Sequence, residues 1–476
     1  MATPFDEPPA WVADAVFYQI FPDRFAASPR AHKPANLEPW DSPPTVHGYK
    51  GGDLLGIVDH LDHLVDLGVT ALYLNPIFRS ASNHRYHTHD YYAIDPLLGG
   101  DEAFDELLAA CHDRGIRIVL DGVFNHASRG FFQFSDIAEN HERSPWRDWF
   151  HINGYPLRPY LEDVPPSYEA WWNLHALPKF NTDNPDVREF LMGVGEHWIR
   201  RGVDGWRLDV PGEITTDGFW EEFRRRVRAV NPEAYLVGEI WYPAPEWTGD
   251  RFDGLMHYQL GTAIIAYAAA GRIEHALDHP NEVYDITTPT NAATMAERLT
   301  RIFTTYSPAT NCGHLVLLDS HDTARVGSIL KRDRRSLQLA ALLLMSMPGA
   351  PCLYYGTEIG ITGAHDPDNR RSFLWDEATW NHDLHATWRG LIALRHRTPE
   401  LRAADIAVRS SGDVLVIERE GAGGTVVVTV NATDAPVMTA LETRTEPELL
   451  WGHDGVGIAD GRCSLPARSG AVWRVR

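Results

Sequence analysis

Several charged and polar residues in this sequence sit at the ends of short apolar runs, where burying them is costly unless they are paired or put to use. Arg207 and Asp209 close the run "GWRLDV". Asp121, Asn125 and His126 close "IRIVLDGVFNH", Glu239 follows "AYLVG", and His321 with Asp322 follows "HLVLLDS". Alternate residues of a strand share a face, so Arg207 and Asp209 point the same way. A fixed guanidinium beside Asp209 predicts a pKa below the usual carboxyl range, which suits an ionised nucleophile. Glu239 is followed by Ile240 and Trp241. A drier setting there predicts a raised pKa, which suits a general acid. Two carboxyls with pKa values pushed apart can cleave a glycosidic bond, and a retaining enzyme would hold them ~5–5.5 Å apart.

Those residues need a scaffold that gathers strand ends at one place. Over roughly the first 400 residues, β-rich apolar runs alternate with helical patterns. "AVFYQIF" reads as a strand, and "LLGIVDHLDHLVDLG" as a helix stopped by Gly68. "VTALYLNP", "IRIVLDGVFNH", "VDGWRLDV", "AYLVGE", "GLMH", "HLVLLDSHD" and "APCLYYG" read as further strands, with helical patterns between them. The fold class expected is α/β, a (β/α)8 TIM barrel, whose site lies at the C-terminal ends of its strands. A doubly wound sheet fits less well, because no Gly-rich phosphate turn follows the first strand. Residues 126–180 are too long for a βα loop and read as a small inserted domain after strand 3. Residues 400–476 read as a C-terminal antiparallel β-sandwich. The barrel is then split into residues 1–125 and 181–399.

Composition narrows the partners. The net charge of −22 argues against nucleic acid and anionic membranes, both of which need a basic surface. Cys111, Cys312, Cys352 and Cys463 fall in no metal-ligand spacing and read as free thiols of a reducing compartment. The N-terminal stretch has no basic start and no apolar core, and no run approaches the length of a membrane span. A cytoplasmic protein is expected. The generous supply of Trp, Tyr and Phe fills the core, and some of these rings are candidate platforms for sugars. In the insert these are Trp146, Trp149, Trp171, Trp172 and Phe180.

At the residues named, the chain resembles the α-amylase family of glycoside hydrolases. "DGVFNH", "GWRLDV", "GEIW" and "LLDSHD" look like its four signature regions, in order. "LPKFN", "VFYQIFPDRF" and "PGAPCLYYGTEIGITGAHDPDNRR" are similar to the neopullulanase, cyclomaltodextrinase and maltogenic amylase branch. The resemblance implies a retaining hydrolase of α-1,4-linked glucans: maltooligosaccharides, cyclodextrins, and starch or pullulan. It implies Asp209 as nucleophile, Glu239 as acid/base, and Asp322 as the holder of sugar hydroxyls. Tyr86, Asp121, His126, Arg207, Trp241 and His321 would line the substrate, with Tyr86 as a stacking platform and Asp121 bracing Arg207. The branch carries an N-terminal β domain, whereas the first barrel strand here begins near Ala15, so a monomer is expected. "VPGE" stands where the branch has "VANE", His87 where an Asp is usual, and Phe180 where a Leu is usual. The loop after "FPDRF" is nearly bare of carboxylates, so no metal or other cofactor is expected to be required, and a structural calcium would have few charged ligands. The same residues would serve a glucanotransferase or an exo-acting α-glucosidase. A non-catalytic amylase-like binding protein would be expected to lose one or more of the three carboxylates, which this chain keeps.

Overall fold

The computed structural model describes residues 7–475 except 162, 280–282, 289, 442–446 and 460–461. The first six residues of the stretch read for a leader lie outside it. Eight strands run parallel: β1 (Phe17–Ile20), β2 (Ala71–Leu74), β3 (Arg117–Gly122), β4 (Gly205–Leu208), β5 (Tyr235–Gly238), β6 (Gly254–Leu255), β7 (Leu315–Leu317) and β8 (Ala350–Tyr354). Their order is β6-β5-β4-β3-β2-β1-β8-β7. A parallel bridge from Met256 to Leu315 joins the two ends of that order. A barrel strand contacts neighbours on both sides and side chains on both faces, which is why these runs are continuously apolar rather than alternating. The barrel is tight at β6: a Cβ on Gly254 would stand 2.1 Å from the Gly313 carbonyl oxygen, so only glycine fits there.

The helices behave largely as their termini dictate. Asn184 accepts a hydrogen bond from the Asp186 amide and starts Pro185–Arg201, with Pro at the first position. Gly202, left-handed at φ 113°, ends it after Arg200 and Arg201. The helix expected over "LLGIVDHLDHLVDLG" is instead two, Leu54–Asp59 and Leu61–Leu67. They break at His60, whose ring nitrogen turns back to the Gly56 carbonyl at 2.9 Å. Gly68 is the left-handed stop, at φ 91°.

Residues 126–180 leave the barrel after β3 and carry, among the described residues, one α-helix, Phe132–Asn140, and three short 3₁₀ turns. Short bridges hold the segment together, including His126–Lys179 and Phe150–Phe180. Beyond the short 3₁₀ turn Pro399–Arg402, the described residues of the C-terminal region form a five-stranded antiparallel sheet beside a three-stranded one. Val414, Val416, Val427 and Trp473 belong to a small core of its own.

Two fully buried arginines join this region to the barrel, and both point at backbone carbonyls rather than carboxylates. Arg395 donates to Met345, Met347, Gly349 and Leu401, at 2.6–3.0 Å. Arg419, in strand Val414–Gly421, donates to Asp405 at 3.0 Å and to Ser346 and Ala403. Several of these carbonyls lie at or just beyond the C-terminus of helix Arg334–Ser346, where intrahelical donors run out. Burial pushes the Arg395 guanidinium down to about 10 and that of Arg419 to about 9, so both remain cationic at neutral pH.

Candidate active site

The polar strand ends converge on Arg207. Asp121 and Arg207 are register partners on β3 and β4, and Arg207 faces Val237 on β5. Its Nη1 donates to Asp121 Oδ1 at 2.8 Å and to Asp209 Oδ1 at 2.9 Å. Its Nη2 lies 2.9 Å from Glu239 Oε2. One buried cation thus serves three buried carboxylates. Asp121 accepts two more hydrogen bonds, from the Tyr73 and Tyr86 hydroxyls, both at 2.7 Å.

Glu239 does not sit in a simply apolar pocket. The Trp241 indole N–H donates to its Oε1 and the Val210 amide to its Oε2, each at 3.1 Å. Trp241 in turn stacks on Tyr258 with ring centroids 3.7 Å apart. Val210 adopts φ 36°, ψ 51°, a left-handed conformation that a β-branched residue rarely takes. That turn is what aims its amide at Glu239. The "VPGE" departure follows immediately as a short 3₁₀ turn, Pro211–Glu213. Glu213 meets Lys179 of the insert at 3.2 Å.

His321 completes a relay. Gln19 Nε2 lies 2.8 Å from its Nδ1, and the Tyr86 hydroxyl 2.6 Å from its Nε2. Gln19 donates to Nδ1, so the ring's proton sits on Nε2. Burial, with Arg207 nearby, holds the imidazole neutral, well below its ordinary pKa. The Tyr86 ring lies parallel to that of His321, 7° apart in plane and 5.5 Å between centroids. Burial lowers His126 to about 3, and its ring stacks on Trp171 at 5.4 Å. Trp171 stacks on Trp172, which is 76% exposed. Phe180 is a buried packing residue against Phe150 instead, and Trp146 and Trp149 pack at the edge of the core.

The electrostatics correct one expectation. Arg207 does favour ionised Asp209, but burial outweighs it, and Glu239 and Asp121 add repulsion. The Asp209 carboxyl therefore stands well above the ordinary range, not below it. Burial raises Asp121 too, against the pull of Arg207. Asp322 is raised to about 7 by burial and by Glu239. Asp121, Asp209 and Asp322 thus keep protons at pH values where isolated carboxyls would have released them.

A stability effect follows from Asp322. Its pKa is near 3.9 in the unfolded chain and about 7 in the folded one. The folded state holds the extra proton, so stability is greatest below the unfolded value and is lost as pH rises through 7. Asp322→Asn removes that loss. With 27% of the side chain exposed, a discounted gain on the order of 1–2 kcal/mol at pH 8, vanishing near pH 4, is expected from denaturant melts at both pH values.

Sequence reasoning passed over three contributors, and left Arg370 and Arg371 between a place near the leaving side and ordinary surface charge. Gln19, Tyr73 and Asn75 stand on or just beyond β1 and β2. Asn75 donates to the Tyr86 hydroxyl at 3.1 Å. A buried Gln inside "FYQIF" was the available signal. Of the pair Arg370 and Arg371, it is Arg370 that turns to the mouth, donating to the His321 carbonyl at 3.0 Å and reaching Asp322 at 3.9 Å. Among the described residues no group of three or more His, Cys, Asp or Glu is placed to hold a metal ion. Asp53 is engaged by the amides of Ser28 and Gly56 and by Lys33.

A (β/α)8 barrel with paired carboxylates at its strand ends is a glycoside hydrolase architecture. The sequence matches the alpha-amylase catalytic-domain family over residues 19–404, and the chain belongs to that family of glycoside hydrolases. It is 39% identical to a cyclomaltodextrinase of Geobacillus thermopakistaniensis, over 98% of this chain and 78% of that one. The debranching enzyme from Nostoc punctiforme superposes with a TM-score of 0.89 at 46% identity, covering 98% of this chain and 99% of that one. A cyclic α-maltosyl-(1→6)-maltose hydrolase from Arthrobacter globiformis superposes at 0.88 with 37% identity, covering 98% and 99%. No helix among the described residues is long and apolar enough to cross a membrane.

Proposed function

We propose that this protein is a retaining α-glucan hydrolase that cleaves α-1,4 bonds in maltooligosaccharides and cyclodextrins through a covalent glycosyl-enzyme. The observation that carries the reading is Arg207 bound at once to Asp121, Asp209 and Glu239 at the barrel mouth. Asp209 attacks the anomeric carbon while Glu239 gives its proton to the departing oxygen. Glu239 then takes a proton from water as that water breaks the glycosyl ester. Asp209 reacts in its ionised form, which the Arg207 guanidinium favours, and Glu239 in its acid form. Asp322, His321 and His126 hold sugar hydroxyls, and Tyr86 supplies an aromatic face. Arg207 and Asp121 fix the nucleophile, and Trp241 fixes the acid/base.

A second reading, cleavage at α-1,6 branch points, is favoured by one observation. The chain is 46% identical to the Nostoc debranching enzyme and 39% identical to the cyclomaltodextrinase. Proton NMR of the anomeric signals separates the two readings. A cyclodextrin that opens to release α-anomeric maltose or maltotriose supports the first, and an untouched ring overturns it. With panose, loss of the α-1,6 signal before the α-1,4 signal supports the second.

The chemistry needs no metal, since two carboxylates carry it. Activity in excess chelator is expected to match the untreated enzyme, and abolished activity would refute that. A cytoplasmic monomer completes the proposal. Three of the four cysteines are buried, and all four are free thiols, as a reducing compartment would keep them.

A further inference from the structure

A cavity of about 450 Å³ opens beside the barrel mouth, between the segment after β1 and those after β7 and β8. Its lining includes Trp40, Asp41, Arg332, Thr362, Arg371 and Ser372. None of the cluster's carboxylates lines it, and the segment 368–373 contributes a residue to each site. Arg370 turns one way along that segment, to Asp322. Arg371 turns the other way and lines the cavity, tied to Asp368 at 2.7 Å.

We propose that this cavity is a second, non-catalytic binding site for a neutral saccharide. Trp40 is half-buried, and its indole N–H is used up on the Phe373 carbonyl at 2.8 Å. That bond fixes the ring plane, and among the described residues no other aromatic ring stacks on Trp40. An immobilised, partly exposed aromatic ring at a cavity wall is what the apolar side of a sugar ring packs against. Polar contacts for such a ligand come from Arg332 and Thr362, which line the same cavity. Arg332 stands opposite in a strained turn: it and Lys331 are both left-handed, at φ 56° and 52°. Its guanidinium donates to Thr362 Oγ1 at 3.0 Å and makes no ion pair among the described residues.

Charge decides the class of ligand. Arg332 and Arg371 are offset by Asp41 and Asp368, which leaves the lining near neutral within a chain of net charge −22. An anion has nothing to gain there, whereas a polyol with one flat apolar face meets both the ring and the donors. The choice of an α-glucan fragment as the sugar rests on the functional reading above.

The test is calorimetric titration of maltotriose into the Glu239→Gln protein, which keeps the cleft but slows turnover. Two binding events are expected, and the Trp40→Ala/Glu239→Gln protein should keep one. The affinity lost at the second site should be tenfold or more. Arg332→Gly, which suits the left-handed backbone, gives an independent surface variant and should weaken the same event. A single event that neither variant alters overturns the proposal. The functional reading fails separately, if the unaltered enzyme leaves every α-glucan intact. Maltotriose binding that depends on Trp40 would uphold the second site even then. On the active enzyme, Trp40→Ala should leave kcat on maltotriose within twofold of wild type and raise KM for long glucans severalfold. A fall in kcat with unchanged KM would place Trp40 in a structural role instead.

Discussion

Asp209→Asn is expected to lower kcat by roughly four to six orders of magnitude, with KM changed only a few-fold. A carboxamide preserves the shape and keeps an oxygen for Arg207 Nη1, now 2.9 Å away. It cannot form the glycosyl ester. Mass spectrometry with a fluorosugar substrate should show a covalent adduct on the wild-type protein and none on the variant. The variant should also be no less stable at pH 8. Burial holds the Asp209 carboxyl above its ordinary pKa, so its charge costs folding free energy as pH rises. Activity within tenfold of wild type would remove Asp209 from the reaction.

Arg207→Met should have the largest effect on stability. It leaves Asp121, Asp209 and Glu239 buried without their shared cation. Breaking a buried ion pair from one side costs about 3–5 kcal/mol. The sign with pH can be worked out. Without Arg207 the carboxyl pKa values rise further, so the folded state binds more protons than the unfolded chain over a wider range. The loss is then smallest at low pH, where the carboxyls are neutral in both states, and grows as pH rises. Thermal melts should show a larger fall in Tm at pH 8 than at pH 5. The acid limb of any remaining activity should move to higher pH. An equal fall at both pH values would contradict this account of the cluster.

Much of the site was readable because a barrel turns chain order into spatial order. Each polar strand end was bound to meet the others, so Asp121, Arg207, Asp209, Glu239 and His321 could be gathered before any coordinates. What escaped was whatever depends on distance or on one residue's rotation. Arg370 and Arg371 are identical in type and adjacent in sequence, and only the path of the backbone sends one to Asp322 and the other to the cavity. The direction of the Asp209 shift was misjudged because Arg207 is a sequence neighbour, whereas the burial that outweighs it is collective. Glu239 looked dry from its flanking Ile240 and Trp241. The indole turned out to bring a donor, and the left-handed Val210 another. The break at His60 was hidden because both short helices keep one apolar face.

The two arginines at the carbonyl ends near residues 345–349 bear on how such proteins can be recombined. The composition of the chain changes near residue 400, which invites a fusion junction there. Yet Arg395 reaches back to Met345, Met347 and Gly349, and Arg419 reaches back to Ser346. A chimera joined at 400 would set a foreign strand against these carbonyls, and one joined between 349 and 395 would supply a foreign last helix as well. Barrel and C-terminal sheets are therefore exchanged intact or not at all, unless the incoming piece brings its own guanidinium to the same place.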